Sequence, residues 1–241
     1  MTGSLTTTAP TATTVDPTVG FRRRAAAIAL PLAFLFQLAC NTIYAVVSTA
    51  SGMSDSGSTE EALRMYAAYP DQVVQCTLLA LAGCLLALLG LPAALRVLRP
   101  AKPRLAMWAV ALMIVGYTCY FGMNFTDFDM LSLATGHVDA AAAIDSSPAQ
   151  AWGTPFFLLF VVGNLGGTLL LGLAVILGAR RIGVPWAAGA LIIGWPVGHL
   201  INILGGGEWF AVAGAALEII GLVVVAAAAL RTSNVEWASR G

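Results

Sequence analysis

The chain has 241 residues, of which 59% are hydrophobic and only 10% charged, with a formal net charge of zero and a mean hydropathy of +0.84. A soluble domain carries roughly 25% charged residues, so this composition belongs to a chain whose surface largely faces lipid. At about 20 apolar residues per membrane crossing, a few crossings use up nearly the whole length and leave no room for a soluble catalytic or nucleic-acid-binding domain.

Residues 1–21 are Thr-rich, without periodicity, and read as a disordered cytoplasmic tail. The first apolar run is much longer than the core of a signal peptide and lacks a clean cleavage site, so no cleavable leader is expected. Six apolar segments follow, at about 24–48, 73–98, 105–126, 154–179, 184–204 and 208–230. They predict one all-α transmembrane domain over 22–231, with 232–241 as a short second tail.

The connections set the orientation. Arg22, Arg23 and Arg24 precede the first segment, and Arg96, Arg99, Lys102 and Arg104 lie between the second and third. Arg180 and Arg181 separate the fourth and fifth, and Arg231 and Arg240 follow the sixth, which leaves only Arg64 on the other side. The positive-inside rule therefore predicts both termini in the cytoplasm. The opposite connections carry Asp55, Glu60, Glu61 and Asp71, then Asp127, Asp129, Asp139 and Asp145. Each should hold a short outer helix: Ser58 and Glu61 have capping-box spacing, Glu60 and Arg64 stand at i,i+4, and 138–144 is Ala-rich.

Cys40, Cys76, Cys84 and Cys119 lie in apolar stretches with no CxxC pair and read as small core residues. Gly163 and Gly167, then Ala190, Gly194 and Gly198, then Gly207, Ala211 and Ala215 form small-residue stripes that predict close packing among spans four to six. Pro31 and Pro196 should kink their helices. A short likeness between the stretches at Pro31–Asn41 and Pro155–Asn164 would fit an inverted repeat.

Polar residues repeat at helical spacing on one face of several spans, and in lipid such a face turns inward. Gln37, Asn41 and Tyr44 form one stripe, and Tyr117, Tyr120, Asn124 and Asp127 another. Asn164 and Thr168 lie in span four, Trp195, His199 and Asn202 in span five, and Glu208 and Glu218 in span six. Counting from the span ends places Gln37, Tyr117, Asn164 and Glu218 near the midplane, with Asn41, Asn124, Asp127, His199, Asn202 and Glu208 in the outer third. The expectation is a pocket open to the outside and closed below.

A charged carboxylate at the centre of a span costs about 2.5–3.5 kcal/mol, and no Lys or Arg lies inside a span to offset it. Glu218 is therefore expected to be neutral, or to bind a cation or a polar ligand group. The structural alternative is a protonated Glu bonded to a neighbouring backbone or Asn. His199 has a similar alternative, a core imidazole satisfied by Asn or Tyr. No HxxxH, HExxH, CxxC, P-loop or GxSxG pattern occurs, so neither a metal nor a cofactor is expected.

The reading is a cell-membrane protein, from a composition that suggests a GC-rich bacterial genome, with an outward-facing polar pocket. That pocket would bind or transport a small polar or amphipathic ligand in a proton-linked manner. Its partners would be the bilayer and a small-molecule or lipid ligand, with no nucleic acid. Two alternatives share the same pattern. One is a membrane-embedded enzyme working on a lipid or isoprenoid by acid–base chemistry; the other is an accessory subunit of a membrane complex.

Overall fold

A computed structural model describes residues 16–54 and 57–240. The described residues are 87% helix, with no strand among them. Proline at the first helical turn and glycine just past the last explain several boundaries. Helix α1 (Val19–Ser51) ends on Gly52 at φ 66°, and α3 (Pro70–Leu98) and α4 (Pro103–Thr135) both begin on proline. So does α6 (Pro148–Val161), which runs through a π turn at Val162–Gly166 into α7 (Gly167–Ile182), capped by Gly183 at φ 66°. A second π turn, Asn202–Gly206, extends α8 (Trp186–Ile201), and α9 (Glu208–Arg231) follows.

Six helices are long and apolar enough to cross a membrane: α1, α3, α4, the α6–α7 unit, α8 with its π turn, and α9. Each packs on its neighbours in chain order, and α9 returns to α1, so the spans form a closed ring of alternating direction. The core is built from residues such as Leu30, Phe34, Leu91, Met113, Leu171, Ile192 and Leu222, all at 2% exposure or less. Of the cysteines, Cys40 and Cys84 are buried and Cys76 and Cys119 half-buried, and none of the four is in a disulfide.

Two boundaries differ from the sequence reading. Val19–Phe21, read as tail, form the start of α1, while 1–15 and Asp55 lie outside the described residues. Helix α4 continues nine residues beyond 126, so Asp127 and Asp129 stand on a helix rather than in a loop. No breaker interrupts Phe128–Thr135, and Met130, Leu131, Leu133 and Ala134 continue a helical apolar face. That face packs with Tyr66 of α2 (Thr59–Ala68) and Val47 of α1. The Ser58 hydroxyl caps α2 by accepting from the Glu61 N–H at 3.1 Å, and the Glu61 carboxylate accepts from the Ser54 N–H at 2.7 Å. A five-residue helix, α5 (Ala141–Asp145), meets α2 through a Thr59–Asp145 hydrogen bond.

At the opposite, basic end, Arg23 donates to the Leu230 and Thr232 carbonyls that terminate α9, where a cation suits the helix dipole. Helix α10 (Asn234–Ser239) then folds back, burying Trp237.

Small residues bring backbones together around much of the ring. Gly194 and Gly198 of α8 face α9, as the stripe in span five implies, but the glycine they meet is Gly214, which lies outside the stripe Gly207, Ala211 and Ala215; a Cβ at Gly207 meets nothing within 4 Å. Gly163 differs: it lies against Gly116 of α4, where a Cβ would stand 2.5 Å from the Gly116 Cα. Gly167 likewise faces Ala109 and Met113 of α4, so the GxxxG pair joins span four to span three, and close packing is not confined to spans four to six.

Candidate polar site in the bundle core

Three helices bring Tyr117 (α4), Asn164 (the first π turn) and Trp195 (α8) together. The Trp195 indole N–H donates to Asn164 Oδ1 at 2.5 Å, and Asn164 Nδ2 donates to the Tyr117 oxygen at 3.0 Å. An indole N–H is only ever a donor, so it fixes the Asn164 oxygen toward Trp195 and the amide toward Tyr117. The tyrosine oxygen is thereby used as an acceptor, and its own proton is left to donate. Tyr117 is held edge-on by Phe34, with ring centroids 5.7 Å apart. A π turn adds one residue to the helical repeat, and such turns recur at functional sites; here it carries the central residue of the triad.

Glu218 of α9 lies in the same part of the core as Tyr117. It stands ten residues from Glu208 at the start of α9, about 15 Å along the axis, and is only 2% exposed. The Thr168 hydroxyl of α7 lies near it without forming a geometrically acceptable hydrogen bond. Glu218 Oε1 and Thr168 Oγ1 are both fully buried and both unpaired. Most buried polar atoms in native proteins have a partner; these two lie within reach of each other and have no other, so the pair is the place in the core where a further polar group would find bonds to make. A third is near: His199 Nδ1 is buried and unpaired, with its ring 5.0 Å from that of Trp195.

The other sequence candidates are distributed differently. Gln37 donates to the Ala80 carbonyl at 3.2 Å and lies 3.7 Å from the Cys84 sulfur, bracing α1 on α3. Asn41 remains half-buried on α1. Asn124 is buried but donates to the Tyr120 carbonyl of its own helix at 2.7 Å, and Tyr120 stacks on Phe160 at 4.4 Å. Asp127 accepts from the Tyr66 hydroxyl at 3.1 Å and the Thr77 hydroxyl at 3.2 Å, tying α4 to α2 and α3. Asn202 donates to Glu208 at 2.8 Å across the α8–α9 turn. The twelve candidates thus separate into a central group, Tyr117, Asn164, Trp195 and Glu218 with His199 beside it, and a remainder in which Gln37, Tyr120, Asp127, Asn202 and Glu208 brace one helix on another, Asn124 bonds within its own helix and Asn41 is half-buried.

Tyr66 and Thr77 escaped the sequence reading. Thr77 and Cys84 lie seven residues apart on the inward face of α3, a spacing that was visible. Tyr66 had no signal beyond its place in an amphipathic ten-residue helix. Among the described residues no group of three or more His, Cys, Asp or Glu is placed to hold a metal ion. Comparisons with protein-family models, curated proteins and solved structures find no match. The chain is a multi-pass membrane protein by its six apolar helices, and its site has to be read from its own geometry.

Proposed function

We propose that this protein sits in the cell membrane with both termini in the cytoplasm, and binds or transports a small polar or amphipathic ligand in its core. The acidic end, with α2 and α5 as a cover, faces outward in this reading. Glu218 is the ligand's principal contact and carries a proton that accompanies binding. The Tyr117–Asn164–Trp195 triad sets the shape of the site, and His199 stands between it and the outer end.

The observation that carries this reading is Glu218 Oε1 and Thr168 Oγ1, a buried carboxyl and hydroxyl with no partner beyond each other, beside the Tyr117–Asn164–Trp195 chain of hydrogen bonds. A core selected only for stability would satisfy or remove such groups, since each orphan costs about 1–3 kcal/mol. A ligand hydroxyl, amide or amine that reaches Glu218 would bond its carboxyl in place of the Thr168 hydroxyl beside it. The charged carboxylate is expensive at this depth, so a neutral acid that donates and accepts suits the site.

Orientation is tested by cysteine labelling in intact cells. A cysteine at Ala142 should react with an impermeant reagent and one at Ser239 should not; the reverse pattern would invert the proposed topology. The ligand role is tested by equilibrating the purified full-length protein with polar and lipid extracts of bacterial cells. Retention of a discrete compound, recovered unaltered, is the expected outcome. Recovery of a chemically altered compound would show an enzyme instead, and retention of nothing would leave the orphan pair without a ligand and overturn the reading.

A further inference from the structure

At the basic end, α1 and α3 are separated on the bundle surface by a groove of about 540 Å³, a size typical of small-molecule sites. Its lining runs from Arg22 to Leu32 on α1 and from Arg96 back to Leu86 on α3. Ten residues on each helix give a trough about 15 Å long. Its walls are apolar, with Ile28 and Leu89 both more than half exposed along it. The polar end is made by Arg22, Arg96 and the edge of Trp237.

The charge at that end is poorly compensated. Arg22 pairs with Asp16 at 2.7 Å. Arg96 donates to the Trp237 carbonyl at 2.8 Å, with its guanidinium 4.8 Å from the Trp237 ring centroid, and Arg99 donates to the Arg240 carbonyl at 2.8 Å. Among the described residues no carboxylate forms an ion pair with Arg96 or Arg99, although Arg22, Arg96 and Arg99 are close enough to repel one another. The short helix α10 contributes to this arrangement by holding Trp237 and its carbonyl against Arg96.

We propose that this groove binds one anionic phospholipid, its phosphate at Arg22 and Arg96 and an acyl chain along the trough between α1 and α3. An acyl chain matches the apolar length, an anionic headgroup matches Arg96, which has no carboxylate partner among the described residues, with Arg22 beside it shared with Asp16, and the two features lie in the order a lipid presents them. Basic pockets between spans bind anionic headgroups for the same reason. A free phosphate would use the arginines but leave the trough without a role. This inference requires only that the chain spans a bilayer; it is independent of Glu218 and of any ligand there.

The test is native mass spectrometry and thermal-shift measurement on the full chain in detergent, titrated with dioleoyl phosphatidylglycerol, dioleoyl phosphatidylcholine or inorganic phosphate. Wild type should retain phosphatidylglycerol over phosphatidylcholine by about tenfold or more, at about fivefold per basic residue engaged. Arg22→Gln, at an exposed position that leaves α10 in place, should remove about fivefold of that preference. Ala25→Phe, which fills the trough from an exposed position, should abolish retention while the protein stays folded. Equal retention of the two lipids overturns the proposal. So does a phosphatidylglycerol preference that survives Ala25→Phe, which would place the lipid elsewhere, or full competition by inorganic phosphate, which would reduce the site to an anion contact.

Discussion

Gly163→Leu should give a protein that cannot be recovered folded, or one whose Tm in detergent is lower by about 10 °C or more. A Cβ at Gly163 meets backbone atoms of the facing helix, the Leu112 carbonyl oxygen and the Gly116 Cα and N. Ordinary overpacking costs roughly 1–3 kcal/mol because side chains move aside; here the obstruction is main chain, and α4 and the π turn would have to separate. That separation would also pull Asn164 from Tyr117, since both belong to the same contact. Gly122→Leu is the control: it lies on the facing helix α4, is exposed, and a Cβ there meets nothing within 4 Å. Equal stability of the two variants, measured by the same thermal melt, would show that spans three and four do not meet through Gly163.

Asn164→Leu should be the most destabilising of the single polar replacements in the core. It leaves the Trp195 N–H without its acceptor and the Tyr117 oxygen without its donor, at about 1–3 kcal/mol for each orphaned group. Asn164→Asp tests the same point differently, keeping the acceptor for Trp195 while losing the donor to Tyr117. Glu218→Gln and Glu218→Leu should behave in the opposite way. Asn164 already has two partners and Gln37 has its own on α3, so removing the carboxyl orphans neither, and melting temperatures should match or exceed wild type. A residue that costs stability where it stands is the pattern expected of a functional group. A Tm for Asn164→Leu equal to that of wild type would mean the triad is not formed.

The spans were legible because hydrophobic length and charge asymmetry act residue by residue. The α4 overrun was not, because Asp127 and Asp129 resemble loop residues until Tyr66 and Thr77 are brought to Asp127 by tertiary packing. Likewise the polar stripes identified which faces turn inward, but not which residues meet. Tyr117, Asn164 and Trp195 converge because α4, the π turn and α8 are neighbours in the ring. Asn124, on the same stripe as Tyr117, bonds within its own helix because it lies two turns further along. The π turns carry no more sequence signal than glycines around an Asn, and it is one of them that presents Asn164. The basic groove was also out of reach, because it joins residues from both ends of the sequence.

The central claim is that Glu218 contacts a ligand, and the most direct measurement compares Glu218→Gln with wild type for the compound retained from cell extracts. Both proteins should be folded and equally stable, as judged by thermal melting. Glu218→Gln should retain the compound at least tenfold more weakly, and any uptake by proteoliposomes should lose the pH dependence seen with wild type. Equal retention with an unchanged pH profile would contradict it and leave Glu218 as a buried side chain with no role in binding.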